Sequence, residues 1–122
     1  SPIVDNPACV IAMNQPSLLR FQKVVTQGGL LLVNSSLARM DDVTRNEIRV
    51  FEIPMSELAI ELGSARLSNM VALGAYAALT GAIEPGELAR ALESVISVRN
   101  KDLIPLNEKA ILEGAAYAAR SV

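Results

Sequence analysis

Ala8-Cys9-Val10-Ile11-Ala12-Met13-Asn14-Gln15-Pro16-Ser17 decides how the chain begins to fold. Six apolar residues run without a polar break, a pattern expected of a strand buried on both faces, as in a parallel sheet. Asn14-Gln15-Pro16 then changes the backbone regime. Proline suits the first turn of a helix, where its missing N–H costs nothing. Leu18, Leu19 and Val25 mark the apolar side of a short helix reaching about Val25. Gln27-Gly28-Gly29 stops it, and Leu30-Leu31-Leu32-Val33 supplies a second buried strand that ends in Asn34-Ser35-Ser36. A strand, a helix and a strand in this spacing predict a right-handed parallel crossover.

Downstream the character shifts. Seven of the fourteen residues from Arg39 to Glu52 are charged, which predicts a surface excursion followed by a strand over Ile48 to Ile53 nearer a sheet edge. The connector from Asn34 to Ile48 is barely long enough for a parallel crossover, so the direction of this strand stays open. From Pro54 onward the pattern is helical. Leu58, Ala59 and Leu62 form a short stripe ended by Gly63, a usual helix stop. Arg66 to Leu79 is apolar on nearly every face, with Ala72, Gly74, Ala75, Ala77 and Ala78 keeping it slim; such a helix must be surrounded, either by its own domain or by a partner. Pro85 to Ile96 is amphipathic, with Leu88, Ala91, Leu92 and Val95 expected inward and Glu87, Arg90, Glu93 and Ser94 outward. The last helix runs from Pro105 to about Arg120, with Lys109 and Glu113 one turn apart on its wet side. The expected fold class is α/β, a three-layer arrangement on a mostly parallel sheet. With no internal repeat and no linker, residues 1–122 are expected to form a single domain.

Composition narrows the chemistry. The 122 residues include no His, no Trp and one cysteine, Cys9. A Ser-His-Asp triad, an imidazole base and a His metal ligand are therefore excluded. One cysteine excludes an internal disulfide and a cysteine-held zinc or iron–sulfur cluster. The net charge of −2 comes with no basic cluster, and two Phe and two Tyr cannot build a stacking platform, so nucleic acid is not an expected partner. Mean hydropathy is high at +0.33, but the longest uncharged stretch, Leu67 to Ile83, is interrupted by polar residues and glycines and is better explained as a buried helix than as a membrane span. The first residues carry no basic segment of a signal peptide, and a cytoplasmic location is expected.

In an open α/β sheet, ligands bind beyond the carboxyl ends of the strands. Here those ends carry Asn14-Gln15-Pro16-Ser17, Asn34-Ser35-Ser36 and Ile53-Pro54-Met55-Ser56. The amides and hydroxyls of the first two suit a phosphate, a pantetheine arm or another subunit's backbone; the same groups also serve as helix caps and turn formers. Asn69 stands in the most apolar helix, where an amide is costly unless bonded. Arg66 lies one turn earlier, as a solvated helix end or a contact for an acidic group. No carboxylate pair suggests a general acid and base, Gly28-Gly29 is not a phosphate loop, and no residue is expected to be catalytic.

These residues resemble a known family. Pro2-Ile3-Val4-Asp5-Asn6-Pro7, Ala12-Met13-Asn14-Gln15-Pro16-Ser17, Gly28-Gly29-Leu30 and Val33-Asn34-Ser35-Ser36-Leu37 look like the gamma subunit of 2-oxoacid:ferredoxin oxidoreductases. Ile53-Pro54, Glu57-Leu58-Ala59 with Leu62-Gly63, Asn69-Met70 with Leu73-Gly74-Ala75, Thr80-Gly81 and Leu103-Ile104-Pro105-Leu106-Asn107-Glu108-Lys109-Ala110 follow in the family's order. The set covers essentially the whole chain and is most similar to the 2-oxoglutarate branch, with the pyruvate and ketoisovalerate branches also open. The resemblance implies a Rossmann-like three-layer sandwich. It also implies membership of a complex that oxidatively decarboxylates a 2-oxoacid with coenzyme A, giving acyl-CoA, carbon dioxide and reduced ferredoxin.

The same resemblance implies that thiamine diphosphate, Mg and iron–sulfur clusters sit on other subunits, that this chain holds none of them, and that alpha, beta and ferredoxin-like delta subunits are its partners. Coenzyme A or a partner subunit would then meet Asn14, Gln15, Pro16, Ser17, Asn34, Ser35, Ser36 and Asn69. The family's chain begins with a glycine-rich G-x-G-G-Q-G strand–turn–helix that this sequence lacks. The expectation is therefore the C-terminal portion of the gamma domain with its N-terminal strand or strands missing. Two other readings stand beside this one: a free-standing nucleotide- or CoA-binding module, and an assembly scaffold whose exposed helix and truncated sheet pair in a homodimer.

Overall fold

The computed structural model describes residues 8–95, 102 and 104–121, with side chains at 93–95 left aside. Expectations that fall on Pro2 to Pro7, on Val95 and Ile96 as inward positions, or on Leu103 lie outside the described residues. The chain divides into two compact units, Ser1–Pro54 and Met55–Val122.

The first unit is a three-stranded parallel sheet in the order β1 (Cys9–Ala12), β2 (Leu30–Asn34), β3 (Arg49–Ile53). Cys9 pairs with Leu30 and Ala12 with Val33, while Leu30 pairs with Arg49 and Asn34 with Ile53. The open question of the third strand's direction is thus settled as parallel. Helix α1 (Gln15–Phe21) and a 3-10 turn (Gln22–Val24) connect β1 to β2, as the crossover pattern predicts. Leu18 and Val25 from this connection pack with Ala12, Leu31, Val33, Ala38 and Ile48 in one buried cluster, joined by the half-buried Val10, Met40, Val43 and Val50. All five residues of β2 are buried. In β1 only Ala12 is, because among the described residues β1 pairs on one side alone; the expectation of a strand buried on both faces holds for β2 and fails for β1.

Gly28 and Gly29 knit the strands' starting ends together. Gly28 has φ 81° and donates to the Glu47 carbonyl at 2.8 Å. The Gly29 carbonyl accepts the Arg49 N–H at 2.8 Å, and a Cβ on Gly29 would lie 2.7 Å from the Ala8 carbonyl oxygen. Only glycine fits a position where a neighbouring backbone comes this close.

The second unit is helical: α2 (Met55–Glu61), α3 (Ser68–Thr80), α4 (Pro85–Val95) and α5 (Ile104–Arg120). After α2, Ser64 N–H bonds the Ala59 carbonyl and Gly63 N–H the Ile60 carbonyl, with Gly63 at φ 123°, the paired bonds of a Schellman stop. Gly81, at φ 69°, ends α3. The slim apolar helix packs chiefly on α5, and its expected full enclosure is not met within this unit: Asn69, Ala78 and Thr80 are exposed. The two cross at a pair of glycines: a Cβ on Gly74 would fall 1.8 Å from the Ile111 carbonyl oxygen, and one on Gly114 would fall 2.0 Å from that of Val71. Val71, Ala75, Ile111 and Ala118 are fully buried around this crossing. In α4 the inward set differs from the expected one. Ala89 is buried, Leu88 and Leu92 are half-buried, and Ala91 is exposed. In α5 Lys109 is exposed, while Glu113 is half-buried and pairs with Arg120 at 3.8 Å rather than with Lys109. Among the described residues no helix is long and apolar enough to cross a membrane.

Candidate functional site

Parallel strands deliver all three carboxyl ends to one edge of the first unit. Asn34 closes β2 beside the end of β1: its side-chain amide donates to the Met13 carbonyl at 3.1 Å, and its Oδ1 accepts the Ser36 N–H at 3.2 Å. The Ser35 N–H bonds the Ile53 carbonyl at 3.0 Å, so the end of β3 joins the same place. The Asn14–Ser17 and Asn34–Ser36 groups are therefore neighbours. Asn69 belongs to the second unit and is exposed in the first turn of α3, which begins at Ser68, so its amide is solvated and needs no internal partner.

Several of these side chains are consumed by the fold. Asn14 Oδ1 caps α1 by accepting the Ser17 N–H at 3.0 Å. Gln15 donates to the Asp42 carboxylate and accepts the Arg39 N–H at 2.6 Å. Asn34 is fully buried, with its amide tied to Met13 and Ser36, as a buried amide must be. Pro16 is exposed at the start of α1. What the edge leaves for a ligand is modest and uncharged: the Asn14 side-chain NH2 group and the Ser17 and Ser35 hydroxyls, none of which has a hydrogen-bond partner among the described residues.

Two polar residues matter that motif spacing did not single out. Gln22 is 4% exposed; its Nε2 donates to the Asp42 carbonyl at 2.8 Å and its Oε1 accepts the Thr44 N–H at 3.0 Å. Arg45 donates through Nη1 to the carbonyls of Gln22 at 3.0 Å, Lys23 at 3.3 Å and Val25 at 2.6 Å, and through Nε to Glu47 at 2.5 Å. The charged excursion is thus strapped to the end of the α1 connection. The signal was present in the spacing: Gln22 stands four residues after Leu18 and three before Val25, apolar positions of the helix expected to reach about Val25, so an amide there falls on an apolar stripe and must find bonds.

Electrostatics add no acid–base pair. The Glu47 carboxyl is held below its ordinary value, first by its own backbone N–H and then by Arg45. Burial pushes the Cys9 thiol up, which keeps it protonated and a poor nucleophile. Among the described residues no three His, Cys, Asp or Glu stand close enough together to hold a metal ion. The side chains on the strand-end edge are amides and hydroxyls, so they do not fit Mg-bound thiamine diphosphate or an iron–sulfur cluster.

Fold and edge together define a class: an α/β domain on a parallel sheet whose strand ends present uncharged hydrogen-bonding groups. The family model for pyruvate ferredoxin/flavodoxin oxidoreductase matches residues 1–117, and the chain belongs to that family. Ketoisovalerate oxidoreductase subunit VorA of Methanothermobacter thermautotrophicus is 32% identical over 124 residues, covering 100% of this chain and 25% of VorA. The 2-oxoglutarate synthase subunit KorC of the same organism is 31% identical over 109 residues, covering 85% of this chain and 53% of KorC. The chain therefore spans only a quarter to a half of these relatives. Among solved structures, the gamma subunit of a keto/oxoacid ferredoxin oxidoreductase from Geobacter sulfurreducens superposes with TM-score 0.82 at 25% identity, covering 93% of this chain and 64% of that one. A 2-oxoglutarate:ferredoxin oxidoreductase from Magnetococcus marinus shares the fold with TM-score 0.83 at 24% identity, covering 97% of this chain and 21% of its own. The resemblance to the gamma subunit, drawn from ordered motifs, agrees with these matches.

Proposed function

We propose that the chain is the gamma part of a cytoplasmic 2-oxoacid:ferredoxin oxidoreductase that converts a 2-oxoacid and coenzyme A to acyl-CoA, carbon dioxide and reduced ferredoxin. Alpha, beta and ferredoxin-like delta subunits are its partners and carry the thiamine diphosphate, Mg and iron–sulfur clusters. Its own role is structural, with the strand-end edge bordering the path by which coenzyme A enters. The observation that carries this reading is the meeting of the Asn14 and Asn34 clusters at one sheet edge in a chain whose family match covers residues 1–117. Amide and hydroxyl groups at that edge suit the amides of a pantetheine arm, which need hydrogen bonds but no counter-charge.

The test is Asn14→Asp in the assembled complex. A carboxylate retains an acceptor for the Ser17 N–H, so the α1 cap survives. The donor NH2 is lost and a negative charge is set beside a path used by a polyphosphate ligand. The KM for coenzyme A should rise several-fold with kcat held. An unchanged KM would refute coenzyme A passage at this edge. Wild-type turnover by a complex lacking the chain altogether would refute the assignment as a whole.

A further inference from the structure

The second unit holds an open pocket of about 220 Å³ lined by Ser64, Arg66, Leu67, Leu106 and Asn107. It lies where the 3-10 turn Ala65–Leu67 leads into α3 and the first turn of α5 begins. Its composition is specific. Leu67 is buried, and Leu106, half-buried, adds a second apolar wall. Arg66 is exposed and has no ion pair among the described residues, whose salt bridges engage Arg39, Arg45 and Arg120 instead. The Ser64 hydroxyl oxygen accepts the Arg66 backbone N–H at 3.2 Å, which fixes the turn that carries the guanidinium and leaves the hydroxyl hydrogen to donate. The first turns of α3 and α5 contain no acidic residue to satisfy the arginine internally.

One unpaired planar cation above an apolar wall matches one planar anion on a short hydrocarbon. A guanidinium binds a carboxylate or a phosphate through two parallel N–H···O bonds, and the apolar wall beside it favours an anion that carries a hydrocarbon tail. We propose that this pocket binds a small monocarboxylate with a short branched or linear apolar tail, the carboxylate on Arg66 and the tail against Leu67 and Leu106. The volume suits a molecule of a few carbons and excludes anything as large as a nucleotide. The proposal does not depend on the functional reading given above.

Saturation-transfer NMR on the full chain tests it with 3-methylbutanoate as the probe, 3-methylbutanamide as its uncharged isostere and inorganic phosphate as the tail-less anion. The expected result is a saturable signal from 3-methylbutanoate in the millimolar range. The amide and phosphate should bind at least tenfold more weakly, Arg66→Ala should lose tenfold or more, and Arg66→Lys should recover part of that loss because the charge returns without the fork. Arg66 is exposed, so its replacement leaves the packing in place. No saturable signal, equal binding of the amide, phosphate binding as strong as the carboxylate's, or binding untouched by Arg66→Ala would each overturn the proposal.

Discussion

Gly74→Ala is the substitution on which the packing of the second unit turns. The added methyl would sit 1.8 Å from the Ile111 carbonyl oxygen, 2.6 Å from its carbon and 2.9 Å from its Cα. Ordinary contact begins near 3.4 Å, so α3 and α5 must part by more than 1 Å at the crossing. The obstacle is backbone, which has no rotamer to yield. Separation loosens Val71, Ala75, Ile111 and Ala118, all fully buried. Overpacking of this kind costs about 3 kcal/mol or more when the core cannot adjust. Alanine returns about 1 kcal/mol of helix propensity in mid-helix. The net expectation is a loss of about 2 kcal/mol, or a melting temperature lower by roughly 8 °C for a chain of this size. Thermal and urea denaturation followed by circular dichroism measure it. Gly86→Ala is the control, because its Cβ would meet only the flexible Glu84 carboxylate, at 3.0 Å and 3.3 Å, and Arg90 at 3.6 Å. It should be neutral or mildly stabilising. Gly114→Ala, whose methyl would meet the Val71 carbonyl oxygen at 2.0 Å, should behave like Gly74→Ala. The double variant should cost less than the sum, because helices already parted accept the second methyl more easily. A Gly74→Ala protein as stable as the parent would refute the close crossing of α3 and α5.

Gln22→Leu should keep the volume of a buried side chain but strand the Thr44 N–H and the Asp42 carbonyl, costing about 1–3 kcal/mol; amide exchange at Thr44 should accelerate, and unchanged protection would show that Gln22 does not strap the loop. The Glu47 carboxyl lies below its ordinary value of 4.5 when folded, so its contribution is full above that value and fades as pH falls through the folded one. Glu47→Gln should therefore lower stability slightly at neutral pH and flatten its loss on acidification below about pH 4.5, the two proteins converging in acid; an identical pH profile in both proteins would remove Glu47 from the linkage.

How much of this was legible in the sequence follows from the kind of force at each position. Burial writes itself into composition, so the apolar runs ending at Ala12 and Val33 announced β1 and β2, and Ala72 to Ala78 announced a slim, closely packed helix. Direction did not. A parallel return from β2 to β3 normally calls for a helix to span the sheet, and the connection from Ser35 to Ile48 contains only the 3-10 turn Met40–Asp42. What replaces the helix is a set of long-range polar ties from Gln15, Gln22 and Arg45, made across 20 to 27 residues of chain, and pairings of that range leave no periodicity behind. The Gly74–Gly114 contact was half visible: a slim helix could be foreseen, its partner's matching glycine could not, because reciprocity is a property of two helices and not of either alone. Asn69 shows the opposite error. Counted with an apolar helix it looked in need of a partner, yet it lies in the first turn of α3 on an exposed face.

The candidate site divides along the same line. Spacing brought the two Asn-Ser clusters to one edge, because strand ends are set by local runs and parallel pairing aligns them. Spacing could not say which polar atoms the fold would consume. Asn14, Gln15 and Asn34 each have a reason to be polar that involves no ligand, and only geometry separates Asn34, whose amide is locked into Met13 and Ser36, from Asn14, whose carbonyl caps a helix while its NH2 group stays available. That division makes Asn14 and Ser35 the informative positions. Replacing Asn34 would damage the sheet edge itself and report on stability; replacing the Asn14 donor with its cap retained reports on what the edge touches.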